Sequence, residues 1–497
     1  MELQFNKTLV PSLKSVVREI QTQEQTQEVR LTDGMPDIGK ILSCWAQIVI
    51  RGKEWRTGGM SVSGGVMAWV LYAPEGEDEP QCLETWLPFQ MKWDLPDTEH
   101  DGEICIIPLI RGIDARSISA RKLMVRVGIA IMGEAMLCED AELYTPCELP
   151  EDVQILKKDY PMLIPREAGE KAFVVEDTVA IPTSMQALKK IMYYGVTPVV
   201  TDQKVVGDKI VFHGKLNLHL MYMGIDGRLY CWDTEIPFSQ FHDLRNSYDN
   251  DAVSRICFAV TSLELEQGEE ENLSLKAGIT GQYVIYEHAM ISLVEDAYSP
   301  VRNIRLRSEM LHIPSVLDMQ TITLQPEMSI EFRGTDVVDT AFYPEHPRIY
   351  TDADQVTTEI NGTFQLLGYE DNERLQAQTG RWEDTWSTIA SGRVAASLQP
   401  TGTAQASVSA NGAMVHSELP MSVITMLGEN MPMVTGMELD ETTQPDPNRP
   451  SIVMRRMGEN SLWEIAKATG STVDAIQKVN PSVQEGESNR MLLIPIQ

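Results

Sequence analysis

Short runs in which every second residue is apolar dominate the chain up to about residue 440. In GGVMAWVLY, ending at Tyr72, the residues Val66, Ala68 and Val70 fall in one phase, and in GKLNLHLMY, ending at Tyr222, Leu216, Leu218 and Leu220 do the same. An extended strand sends alternate side chains to opposite faces, so such runs bury one face and wet the other. They are separated by turn-forming, acidic stretches such as APEGEDEP (73–80) and EQGEEEN (266–272), the pattern of antiparallel strands. One apolar face needs a cover, which predicts β-sandwich or similar two-layer units.

The pattern repeats. Tyr222 lies 150 residues after Tyr72, and Lys190, Ile191 and Met192 lie 150 residues after Lys40, Ile41 and Leu42. LPFQMKWDL from Leu87 matches IPFSQFHDL from Ile236, and LMVRVGI from Leu123 matches LSLKAGI from Leu273. A weaker third copy is carried by INGTFQLLGYEDN, with Tyr369 placed 147 residues after Tyr222, and by TAQASVSANG from Thr403. Repeats of this kind predict tandem structural units. The expected division is an N-terminal segment 1–30, β repeats over 31–150, 170–300 and 325–437, and a linker over 438–450, where Pro445, Pro447 and Pro450 favour an extended spacer.

Residues 451–497 change period. A strand (Ile452 to Arg456) leads into a helix capped by Ser461, with Leu462, Ile465 and Ala466 at i, i+3, i+4 and Gly470 at its end. Thr472 starts a second helix whose Val473, Ile476 and Val479 share a face; Asn480-Pro481 stops it, and Met491 to Ile496 closes the unit. The predicted fold class is therefore mainly β: tandem β-sandwich-like repeats followed by a small, separate β-α-α-β domain.

Charge narrows the function. Lys+Arg number 41 against 72 Asp+Glu, a net charge of −31, which repels nucleic acid and anionic lipid. The seven cysteines form no C-x-x-C pair and are expected as reduced thiols in a cytosol. No signal-peptide-like or membrane-spanning apolar run is present, so cytoplasmic residence without membrane insertion is expected. Phosphate-loop, H-E-x-x-H and G-x-S-x-G patterns are missing. His213 and His219, six residues apart on one strand face, are too distant to share a metal and are expected on the solvent side. Asp94 and Asp243, in WDL and HDL, read as turn or cap residues, and Met414, Met421, Met426, Met431, Met433 and Met437 as core filler. No catalytic residue, metal ligand set or cofactor is assigned.

The tail resembles a LysM domain through its Leu462-Trp463-x-Ile465-Ala466 helix, its Thr472-Val473-x-x-Ile476-x-x-x-Asn480 helix and its Leu492–Pro495 ending. The family's Gly-Asp before the first helix is replaced here by Glu459-Asn460. The resemblance implies an N-acetylglucosamine-polymer groove made by Glu459, Asn460, Ser461, Leu462, Ile476, Asn480, Pro481 and Ser482, with Asn460, Asn480 and Ser482 exposed. A protein partner needs a broader patch, for which Asp474, Gln477 and Lys478 on the second helix are the candidates. Repeats of the MPDIGKIL…VLY…LPF kind followed by such a tail are similar to the SPOCS-LysM spore-coat morphogenetic proteins of spore-forming Firmicutes. That resemblance implies a non-enzymatic scaffold on the mother-cell side of the forespore surface. Its implied partners are the spore-coat basement-layer ATPase and other coat proteins, with peptidoglycan as the alternative.

Overall fold

The computed structural model describes residues 1–496 apart from 77–78, 97–99, 269–271, 353–354, 371–373, 391, 400–403, 410–411, 427–429, 442–449, 459 and 482–490. Most of the Pro-rich linker, with Pro445 and Pro447, and the groove candidates Glu459 and Ser482 lie outside the described residues.

The first unit contains β1 (Phe5–Arg30), β2 (Ile38–Arg56), β3 (Gly59–Pro74), β4 (Gln81–Asp94), β5 (Glu103–Ser119) and β6 (Lys122–Pro146). Two antiparallel sheets, ordered β2-β3-β4 and β1-β6-β5, face each other. Between them Val66, Ala68, Val70 and Tyr72 of β3 meet Leu123, Val125, Val127 and Ile129 of β6. The first 30 residues are thus no appendage. β1 pairs with β6 from Phe5 opposite Pro146 to Arg30 opposite Lys122, because β6 needs a second neighbour to satisfy its outer backbone groups.

The second unit follows the same plan with β7 (Gln154–Ala180), β8 (Leu188–Gly224), β9 (Leu229–Tyr248), β10 (Val253–Gln267) and β11 (Asn272–Tyr298). β7 starts well before residue 170 and occupies the place of β1, pairing with β11, while β10 takes that of β5. β8 covers the places of both β2 and β3, with Gly207 between them at φ 60°, a conformation glycine adopts without penalty. Gly64 and Gly214, 150 residues apart, are required by a close approach of backbone. A Cβ on Gly64 would stand 2.3 Å from the Val49 carbonyl, and one on Gly214 2.6 Å from that of Val199. Val66, Val70, Leu216 and Leu220 are all buried, as the shared phase requires. Tyr72 and Tyr222 seal equivalent corners, their hydroxyls donating to the carbonyls of Pro36 and Gln186.

After β12 (Ile304–Leu311) comes a third set: β13 (Val316–Leu324), β14 (Glu327–Ile330), β15 (Gly334–Pro344), β16 (Arg348–Asp352), β17 (Gln355–Glu370), β18 (Leu375–Ile389), β19 (Arg393–Leu398), β20 (Gln405–Ser409), β21 (Gly412–His416) and β22 (Leu419–Met426). β13 and β14 together replace β1, β19 and β20 replace β5, and β21 and β22 replace β6, with the same pairings. β15 and β16 replace β2, flanking β17 opposite β18. The plan is kept, but the counterparts of β1, β2, β5 and β6 are each broken in two, while β17 and β18 stay continuous. Tyr369 does not play the part of Tyr222: Phe364 and Leu366 face the core of the third unit, and an odd spacing of 147 turns Tyr369 to the other face. There its hydroxyl accepts from the backbone N–H of Leu229 at 3.0 Å.

β23 (Met431–Leu439) pairs with β12, so residues 438 and 439, expected in the linker, end a strand with Leu439 buried. Met421, Met431, Met433 and Met437 are core residues, whereas Met414 is exposed. The tail consists of β24 (Ile452–Arg456), α1 (Leu462–Thr469), α2 (Val473–Val479) and β25 (Met491–Pro495), with β24 and β25 antiparallel. Ser461 and Glu464 form a reciprocal capping box at α1, and Gly470 ends it in the left-handed region at φ 66°.

Candidate functional site

The three units meet through the faces that their sandwiches turn outward. Trp45, Trp69 and Leu71 of the first, Met192, Met221, Met223 and Leu229 of the second and Leu367 of the third form one apolar cluster. A polar cluster sits beside it. His219 projects from this outer face of β8, directly across from Asp233 on β9. Its Nδ1 is 2.6 Å from Asp233 Oδ1 and its Nε2 is 3.1 Å from Asp339 Oδ1, on β15 of the third unit. Trp45, from the first unit, donates its indole N–H to Asp339 Oδ2 at 2.6 Å, and the Tyr193 ring lies 5.6 Å from the imidazole. A cleft of about 490 Å³ opens here, lined among others by Trp45, Tyr193, His219, Asp233, Asp339 and Tyr343.

The expectation that His219 faces solvent is therefore wrong, while His213 is exposed. His219 does face away from Leu216, Leu218 and Leu220, but the third unit covers that face. Burial by itself would depress the imidazole, and the Asp339 and Asp233 carboxylates overcome it, holding its pKa well above the ordinary value. Burial would raise Asp339, but His219 and the Trp45 indole bring it below the usual carboxylate range. Burial, then the Asp339 charge, push the neighbouring Cys231 thiol up to about 12, against the pull of His219. With a carboxylate on each ring nitrogen, the imidazole has no free lone pair to act as a base, and the thiol is kept protonated. This is not a nucleophile–base pair. The missed partners, Trp45 and Asp339, carry no local signal. The available hint was that the equivalent of His219 in the first unit is Trp69, a residue that belongs under cover.

A second buried polar group joins the first two units. Glu134 of β6 holds Arg255 of β10 at 2.6 Å, with Arg18 at 3.9 Å. Burial would raise Glu134, yet Arg255 and Arg18 bring it down to about 2.

In the tail, Leu462 and Ile476 are buried with Ile465, Leu492 and Ile494. Asn460, Ser461 and Pro481 are exposed. Asn480 is not a free groove donor: it is half-buried, its amide N–H groups donate to the carbonyls of Ile476 and Leu493 at 2.7 Å, and its oxygen accepts from the Leu493 N–H. It pins α2 to β25. Asp474, Gln477 and Lys478 form an exposed face of α2. Trp463 packs half-buried against the tail's core and also reaches the second unit: its indole donates to Asp296 at 2.9 Å and its ring meets Tyr298 edge-on at 4.8 Å. Lys467 pairs with Asp296 at 2.7 Å, and the Tyr298 hydroxyl donates to the Ser471 carbonyl at 2.9 Å. The tail is thus seated on the end of β11. Asp94 is exposed, and Asp243, also exposed, pairs loosely with Lys209 at 3.6 Å. Among the described residues, no helix is long and apolar enough to cross a membrane.

No curated protein and no solved structure matches the chain. The family model described as SipL, SPOCS domain, matches it twice, over residues 37–118 and 188–265, so that β2 to β5 of the first unit and β8 to β10 of the second are SPOCS-like at equivalent places in the fold.

Proposed function

We propose that this protein is a non-enzymatic scaffold of spore-coat assembly, of the SipL type, in which SPOCS-like units build the body and the LysM-like tail presents a docking surface to a coat basement-layer ATPase and other coat proteins. The observation that carries this reading is the double SPOCS match falling on two units of one architecture; the third unit, with the same strand order, extends it. The exposed face of α2 at Asp474, Gln477 and Lys478 supplies charged, solvated side chains to a protein partner without disturbing the tail's core. The glycan alternative is weakened by Asn480, whose amide is spent on backbone. The expected location is the mother-cell cytoplasm against the forespore.

The test is capture from sporulating cells with the full-length protein. Asp474→Lys combined with Lys478→Glu should lose the coat ATPase, while Asn460→Ala should retain it, and a fluorescent fusion should encircle the forespore. Retention of the wild-type chain on purified peptidoglycan, with capture unaffected by the charge reversal, would replace this reading with the glycan-binding one.

A further inference from the structure

We propose that His219 Nε2, Cys231 Sγ and Asp339 Oδ1 bind one zinc-class divalent transition metal at the seam between the second and third units, with a fourth position open to the cleft. The three donor atoms lie within 4.8 Å of one another. An Nε2 to Oδ1 separation of 3.1 Å is close to the edge of about 3.3 Å expected for a tetrahedron with metal–ligand bonds of about 2.0–2.1 Å. Imidazole, thiolate and carboxylate are each zinc ligands, and a mixed nitrogen, sulfur and oxygen set is a poor match for calcium or magnesium, which take oxygen.

The surroundings of the donors set them apart from an ordinary buried ion pair. Asp233 holds the outer nitrogen of His219 at 2.6 Å, which orients the ring with Nε2 inward, and the Trp45 indole holds the outer oxygen of Asp339 at 2.6 Å, leaving Oδ1 for the metal. Carboxylate-to-histidine support of this kind is the outer shell that metal sites use. His219 and Cys231 stand on adjacent strands, since Met221 is opposite Cys231 while His219 is opposite Asp233. Two ligands are therefore fixed by one sheet, and Asp339 reaches them from another. The side chains of His219 and Asp339 are only 11% and 4% exposed, Cys231 is half-buried, and His219 and Asp339 line the cleft of about 490 Å³ through which the fourth position would be reached. Binding displaces the proton between Nε2 and Oδ1 and the thiol proton, both of which pass to solvent. The first unit has the cysteine, Cys82, at the equivalent place but Trp69 where the histidine stands, so it offers no such site. The metal would clamp two units that are otherwise held by packing, hydrogen bonds and the Arg228–Asp336 ion pair.

The experiment titrates cobalt(II) into the full-length, chelator-treated protein. One equivalent should bind with a thiolate-to-cobalt charge-transfer band that zinc(II) abolishes. The band should be lost in Cys231→Ser, a nearly isosteric change, and retained in Cys82→Ser. Asp233→Asn should weaken binding about 10- to 100-fold, and zinc(II) should raise the melting temperature of the wild type but not of C231S. Failure to bind a stoichiometric ion in equilibrium dialysis, or a charge-transfer band that survives in C231S, would overturn the proposal.

Discussion

At one place in two consecutive units the chain sets Trp69 across from Glu84 and His219 across from Asp233. Both are a ring N–H donor facing a carboxylate on the next strand. The Trp69 indole, however, packs edge-on against Tyr193 and Tyr194 at 5.1 and 5.3 Å, and burial raises Glu84 despite the hydrogen bond from Trp69. His219 instead reaches Asp339 in the third unit. The inward faces cannot diverge in this way, because Val66 and Leu216 must each fill the gap between two sheets. The outward faces meet different neighbours, and each has been adapted to its own. A second difference lies at the end of the long strand: Asp296 and Tyr298 hold the tail, whereas 150 residues earlier stand Pro146 and Glu148.

The largest effect tests the shared inner face. Leu216→Asp and Val66→Asp should each unfold the host unit, since an unpaired buried carboxylate costs several kcal/mol or shifts to its neutral, still unsatisfied form. Circular dichroism and calorimetry would show the loss of one cooperative transition. A soluble, fully folded L216D would break the equivalence of the two inner faces.

Next come the outer faces. Trp69→Ala should cost about 3–5 kcal/mol as a cavity. His219→Ala should cost a similar amount, about 3–5 kcal/mol, for a different reason: it strands the buried Asp339 carboxylate without its counter-charge. The two are separated by rescue. Adding Asp339→Asn should recover much of the loss in H219A, because the stranded charge is gone, and should recover nothing in W69A. Equal responses in chemical denaturation would show the two seams to be physically alike.

The seam between the first and second units has a charge of its own. Glu134 is held at about 2, below the ordinary glutamate value of about 4.5. A depressed carboxyl stabilises the fold fully above its unfolded pKa, and that contribution fades as pH falls from about 4.5 towards about 2. Glu134→Gln should cost about 1.5–3 kcal/mol at neutral pH, the scale of a hydrogen bond to a charged group, and the difference from wild type should shrink through that window. A constant difference between pH 5 and pH 2 would remove Glu134 from the account of acid stability.

These contrasts show what the sequence could disclose. Period-2 runs reveal the inner faces because every second residue must be apolar there, and the spacing of 150 reveals two units because their strands are continuous. The third unit is faint because four of its six strand places are broken, as between Leu324 and Glu327, so that only the continuous β17 offers a run to align, and the odd spacing assigned to Tyr369 put it on the wrong face. The cleft was not legible at all. Trp45 and Asp339 are 294 positions apart in the chain, and nothing local in either strand announces the other. The tail's helices were legible from their caps, but nothing in the sequence shows that Trp463, besides packing on the tail's core, also reaches Asp296 of the second unit.

The smallest effect concerns that tail, and it separates the second unit from the first at the strand end. Asp296 receives the Trp463 indole and the Lys467 ammonium together. Asp296→Asn keeps the size and one acceptor but removes the charge, so the loss should be about 0.5–1.5 kcal/mol, the scale of one net hydrogen bond, and it should be smaller at high salt because Lys467 is partly exposed. Global melting is too blunt for a change of this size. Hydrogen exchange across residues 462–479 and Trp463 fluorescence report the seat itself: both should shift in D296N and in Tyr298→Phe, which loses the hydroxyl that donates to Ser471, while exchange in β6 stays as it was. If D296N and Y298F leave exchange in α1 and α2 unchanged, the tail is held by the apolar packing of Tyr298 into its core, and the polar difference between the two strand ends carries no weight in its docking.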